Sequence, residues 1–336
     1  PSFGIVRAQL LSLVPFVVVL LVLRRQQRRP SRGIWLVVPL VAVWGNLHGA
    51  VLVGVAVIGC YLLFSRLRLE PVVAVAVGLA TLAAVWVTPG LLATGTYYVS
   101  VLSNEAAARG TDLWAAPNLG SPFDVLLVLA AVLLVGAALR RRLPLWEYVA
   151  LAGLAVGTAS AARHGIWLLL LVTPLAARGA TRSRDPDGPS PSTSTTPSRL
   201  LAVVATVLVC ALCGTIVASR SDVIRKDEVA AATLAEQTAG RTVLAVEPLA
   251  ETLAAHGARV WASNPIDAFS RADQAAFLDF LGGEGPPSSA ALAAADVVVV
   301  VPGSPSALLA SSAGFTVTRS VGGYQVMERA VTAAGG

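Results

Sequence analysis

The chain has 336 residues, of which 55% are hydrophobic and 13% charged, with a formal net charge of +6. This composition points to a polytopic membrane protein, whose basic excess is a topology signal and does not imply nucleic-acid binding. The three cysteines, Cys60, Cys210 and Cys213, all fall in apolar stretches, which excludes a disulfide framework as the organising device.

The chain opens on Pro1 and enters an apolar segment without a charged leader or a small-residue cleavage site, so it reads as a portion lacking its own start. Apolar runs at 8–23, 34–47, 50–64, 72–87, 123–139, 145–161, 165–177 and 200–218 predict about eight short hydrophobic helices. Several fall below the ~20 residues that cross a bilayer, and tilt or local thinning would have to accommodate them.

Arginine outnumbers lysine 24 to 1, a bias that codon usage in a GC-rich bacterial genome explains, and the arginines come in clusters. Arg24, Arg25, Arg28, Arg29 and Arg32 form the first, Arg66 and Arg68 the second, Arg140 to Arg142 the third, and Arg178, Arg182, Arg184 and Arg199 the fourth. If all four lie on the cytoplasmic side, an even number of crossings separates each from the next. The apolar stretch from 34 to 64 then has to double back. As one helix its roughly 31 residues would reach about 46 Å, well beyond a ~30 Å core. The break falls at the string W-G-N-L-H-G, residues 44 to 49. A second break is predicted at 162–165, where Arg163 and His164 separate two short runs.

Residues 1–178 therefore read as a multi-helix membrane domain, 179–199 as a linker rich in Pro, Ser and Thr, 200–218 as a last crossing helix, and 219–336 as an extracytoplasmic α/β domain. In that tail, 242–246, 259–262, 297–301, 315–319 and 324–329 read as strands, with helical spacing in 222–240, 247–256, 271–281, 290–295 and 304–312.

Polar side chains inside apolar runs are costly and mark sites. Trp44, Asn46 and His48 either line the rim of a substrate cavity or satisfy backbone groups freed at the break. The connection from Thr88 to Pro122 is long enough to carry function. In it, Glu105 and Arg109 are spaced for a helix ion pair, while Asp112 beside Trp114 suits sugar stacking and proton abstraction, or else anchors the chain at the interface. Arg163 and His164 suit an anionic lipid phosphate, or form a polar turn. Cys210 and Cys213 match C-x-x-C without the βαβ setting of a redox pair, and three scattered histidines offer no zinc site.

The order of these motifs, W-x-N-L-H-G at Trp44 to Gly49, T-P-G at Thr88 to Gly90, Asp112 before Trp114, S-P-F at Ser121 to Phe123 and A-R-H at Ala162 to His164, resembles bacterial membrane proteins of the GT-C glycosyltransferase superfamily, near the dolichyl-phosphate-mannose mannosyltransferase-like group. The resemblance implies an inverting transfer of a sugar from a polyprenyl-phosphate donor to an acceptor on the outer face. It also implies that Asn46, His48, Asp112, Arg163 and His164 line the outward cavity, with Arg163 at the lipid phosphate and Asp112 as candidate base. The carboxylate of the first outer loop, usual in that superfamily, would precede this chain. A non-catalytic membrane assembly or lipid-handling protein on the same scaffold is the alternative.

Overall fold

The computed structural model describes residues 8–110, 114–180, 214, 227–263, 266–286 and 289–329. The chain divides into two units, Pro1–Arg184 and Asp185–Gly336. Asp112, the linker 181–199 and nearly all of the apolar run 200–218, with Cys210 and Cys213, lie outside the described residues.

The first unit is helical. A tight turn of helix, Ala8–Ser12, leads into α1 (Leu13–Arg28), which buries Phe16, Val19, Leu20 and Leu23 on one face at helical spacing. Arg25 and Arg28 sit in its last turn, where cations oppose the helix dipole. Then follow α2 (Val37–Gly45), α3 (Val51–Phe64), α4 (Pro71–Ala84), α5 (Ala93–Leu102) and α6 (Glu105–Arg109). Asn104 caps α6 by accepting the Ala107 N–H at 2.7 Å, and Gly110 closes it in the left-handed conformation. Helices α7 (Pro122–Ala138), α8 (Leu145–Ser160) and α9 (Gly165–Ala180) complete the unit. Serine and proline, Ser121 as cap and Pro122 as first residue, start α7.

The expected count of about eight crossing helices does not hold. Among the described residues two helices are long and apolar enough to cross a bilayer, Leu10–Arg28 and Val51–Arg68; Arg32–Gly45, Pro71–Ala84 and Pro122–Ala138 are apolar but shorter. The reason is that an apolar run is not a helix length. The turns between α2 and α3 and after α4 consume apolar residues, and the 14 residues left in α4 reach only about 21 Å. The run at 145–161 also carries a carboxylate, Glu147, in its first turn.

The basic turns of this unit converge at one end. Gln27 Oε1 accepts hydrogen bonds from Ser65 Oγ at 2.8 Å and from Trp146 Nε1 at 3.0 Å, and Arg66 Nη2 donates to Ser31 O at 3.4 Å. These bonds join the segments after α1, after α3 and before α8. Beneath them Arg24 is buried, donating from Nη2 to Leu171 O at 3.0 Å and standing 3.6 Å from the buried Glu147 carboxylate. Arg178 lies within electrostatic reach of both. At the other end are the turns at 46–50, 85–92 and 161–164.

The second unit is built on a five-stranded mixed sheet of order β2-β1-β3-β5-β4, with β1 Thr242–Ala245, β2 Arg259–Val260, β3 Val297–Val300, β4 Phe315–Val321 and β5 Tyr324–Arg329. Strands β2, β1 and β3 run parallel; β5 and β4 add an antiparallel hairpin. Residues alternate across the central strands. Leu244, Val298 and Val300 face Phe277, Phe280 and Leu292, while Val243, Val297 and Val299 face Leu234, Leu249 and Leu253. The helices that cover these faces are α10 (residues 227–237), α11 (Leu249–Ala255), α12 (Arg271–Gly282), α13 (Ala290–Ala294) and α14 (Pro305–Ser312). All four residues of β3 are buried, as a valine run covered on both sides requires. Gly322 and Gly323, both at positive φ (58° and 92°), make the tight hairpin turn.

Candidate functional site

The string at 44–49 is mainly structural. Trp44 is fully buried, its ring 6.2 Å from Phe16 and 6.4 Å from Trp167, and it lines no rim. Asn46 Nδ2 donates to Ala42 O at 2.8 Å and to Val87 O at 2.6 Å, so one side chain both closes α2 and ties its end to the segment leaving α4. His48 Nδ1 accepts the Ala50 N–H at 3.0 Å and starts α3. Because the backbone amide is the donor, Nδ1 carries the lone pair of this imidazole.

Glu105 and Arg109 form a partly exposed ion pair, 3.5 Å apart, along α6. Such a pair contributes only a few tenths of a kcal/mol, about 0.3–0.5. Asp112, outside the described residues, receives no position here.

Three of the residues singled out from sequence do come together. The Ala162 N–H donates to Ala115 O at 2.9 Å, which pins the turn between α8 and α9 against the segment that precedes α7. Across that bond the Arg163 guanidinium lies over the Trp114 ring, 3.4 Å from its centre. The His164 ring meets the same indole edge-on, with centres 6.4 Å apart and planes at 82°. His164 Nδ1 is 2.9 Å from Gly157 O. A carbonyl only accepts, so Nδ1 carries the proton and Nε2 the lone pair in the neutral ring. Burial pushes this imidazole below its ordinary value and Arg163 adds to the effect, against a raising contribution from the Gly157 carbonyl.

The cluster thus places a guanidinium over an indole and, next to it, an imidazole lone pair. Stacked arginine is well shaped for a phosphate, since its fork matches two oxygens at once. Among the described residues no group of three or more His, Cys, Asp or Glu side chains gathers as metal ligands.

Sequence reasoning did not find the polar layer at the opposite end. Glu147 and Arg24 lie far apart along the chain, and Trp146 and Gln27 gave no local signal; only the presence of a carboxylate in an apolar run could have pointed there.

No protein-family model, curated protein or solved structure matches the chain.

Proposed function

We propose that the first unit is embedded in a bacterial plasma membrane and holds the phosphate of a polyprenyl-phosphate sugar at Trp114, Arg163 and His164, as the glycosyltransferase reading of the motifs requires. The observation that carries this is the stacking of Arg163 on Trp114 beside His164, at the end of the unit away from the arginine-rich turns.

The apolar exterior supports the lipid setting. Val14, Val17, Val18 and Leu21 on α1, Val72, Val75, Leu79 and Leu82 on α4, and Phe123, Leu126, Leu129 and Leu133 on α7 are all exposed at helical spacing, while the opposite faces of α1 and α4 are buried. Helices apolar on every side belong in hydrocarbon or deep in a protein core, and none of the described residues of this unit covers these faces. In this reading Leu10–Arg28 and Val51–Arg68 both run from the outer side to the arginine-bearing side, the shorter apolar helix Arg32–Gly45 carries the chain back between them, and the second unit lies in the extracytoplasmic compartment with the acceptor.

Transfer with inversion needs a carboxylate to take the proton of the acceptor hydroxyl, and the motif order assigns that role to Asp112, two residues before Trp114. Arg163 would stabilise charge on the departing lipid phosphate. The test is binding and turnover of a labelled polyprenyl-phosphate hexose by the full chain in lipid nanodiscs. Binding that falls at least tenfold in Arg163→Ala supports the site. Binding without sugar transfer, unaffected by Asp112→Asn, would replace catalysis by lipid handling, and equal binding by wild type and Arg163→Ala would remove the site.

A further inference from the structure

The arginine-bearing end of the first unit forms a second, separate lipid contact. We infer that it binds the headgroups of anionic phospholipids, and that it does so through arginines spread over three turns of the chain. This rests on the membrane reading above.

The hydrogen bonds of Gln27 to Ser65 and Trp146, and of Arg66 to Ser31, bring those turns together. Exposed around them are Arg28, Arg29, Arg32, Arg68, Arg140 and Arg142. The carboxylates on these turns are already committed: Glu70 pairs with Arg66 at 2.9 Å and Glu147 with Arg24 at 3.6 Å. Glu70 remains half exposed beside the buried Arg66, so the exposed charge is predominantly, not wholly, positive.

What this charge borders decides the partner. Leu36, Leu69 and Val72 are 61%, 61% and 80% exposed, and Leu139 and Leu145 are exposed as well, each within a few residues of one of these arginines; Trp35 sits among them, half exposed. An apolar belt that ends in a ring of arginine with a tryptophan at the border matches the acyl-to-headgroup boundary of a bilayer. A nucleic acid would meet the leucines with no partner for them. Charge complementarity then selects anionic over zwitterionic headgroups, and the two buried arginines, Arg24 and Arg66, hold the turns in place without taking part.

The test uses the full chain reconstituted with phosphatidylcholine alone or in equimolar mixture with phosphatidylglycerol. Native mass spectrometry of the released protein counts the lipids retained. Wild type should retain phosphatidylglycerol in preference to phosphatidylcholine, and the variant Arg28→Gln/Arg29→Gln/Arg32→Gln/Arg68→Gln should lose at least tenfold of that preference. Each arginine near an anionic surface contributes about fivefold, equivalent to about 1 kcal/mol. The preference should also shrink in high salt. Equal retention of both lipids by wild type, or an unchanged preference in the variant, overturns the inference, as does retention of a random oligonucleotide without lipid preference. Alkaline carbonate extraction separates the two claims. Protein released by carbonate contradicts the membrane reading itself, whereas protein that resists extraction but shows no lipid preference contradicts only the headgroup contact.

Discussion

The Arg163 guanidinium carbon lies over the Trp114 ring, 3.4 Å from its centre, although the two residues belong to different turns of the first unit. The backbone bond between Ala162 and Ala115 fixes that approach, so the cation is held before any ligand arrives. A preset cation loses less freedom on binding an anion than a mobile one. Removing the indole by Trp114→Ala should therefore weaken polyprenyl-phosphate binding about tenfold, roughly 1.4 kcal/mol, while Trp114→Phe keeps most of it. Arg163→Lys should behave like the alanine variant because a lysine lacks the fork. Isothermal titration in nanodiscs distinguishes these; a lysine variant that binds like wild type would show that charge alone is recognised.

The Arg24–Glu147 pair predicts a stability asymmetry. Both groups are buried, and Glu147→Ala strands a cation, which should cost about 3–5 kcal/mol. Replacing both by Met should cost far less, since neither charge then needs a partner. Denaturation of the two variants side by side measures the difference, and equal losses would mean that the pair acts through packing.

Gly54 lies against the Trp44 indole, and a Cβ there would overlap the ring. Trp44 is fully buried between Phe16 and Trp167 and has no room to retreat. Gly54→Ala should therefore destabilise the first unit by about 1–3 kcal/mol. A thermal shift assay with wild-type melting for this variant would show that α3 can move away from the indole.

In the second unit, Glu328 accepts a hydrogen bond from Arg241 at 3.2 Å and lies 3.6 Å from Arg319. The bond to Arg241 is the main cause that holds its carboxyl below the ordinary carboxylate range, with the charges of Arg241 and Arg319 adding to it. A depressed folded-state value gives stability that is present above the unfolded carboxylate value, about 4.3, and is lost as pH falls through the lower folded one. The groups are partly exposed, so the effect is modest. Arg241→Gln should flatten the loss of sheet stability as pH falls below about 4.3, as read by circular dichroism; an unchanged acid limb would exclude the pair as its source.

The break after Trp44 was legible because helix length and arginine spacing each demanded it, and the structure ends α2 at Gly45 and starts α3 at Val51. What the polar residues do at the break was not legible. Asn46 reaches Val87, a carbonyl remote in sequence, and no local pattern announces that partner. The same holds for Glu147 and Arg24, whose pairing depends on how α8 packs beside α1. Crossing helices were overcounted because turns are themselves apolar here: Val85, Trp86 and Val87 continue the hydrophobic run after α4 has ended at Ala84. The sheet of the tail was easier to read, since the four valines of β3 and the glycine pair Gly322–Gly323 are local signals of a covered strand and a tight turn.

The central claim is that α3 and its continuation cross a bilayer, separating the turn at His48 from the arginines that follow α3. It is tested by labelling single cysteines with an impermeant maleimide in intact bacterial cells from which the outer barrier has been removed. On a background with Cys60, Cys210 and Cys213 replaced by alanine, Leu47→Cys should label from outside and Arg68→Cys only after the membrane is opened. Labelling of both positions before opening, or of both only after it, would contradict the account.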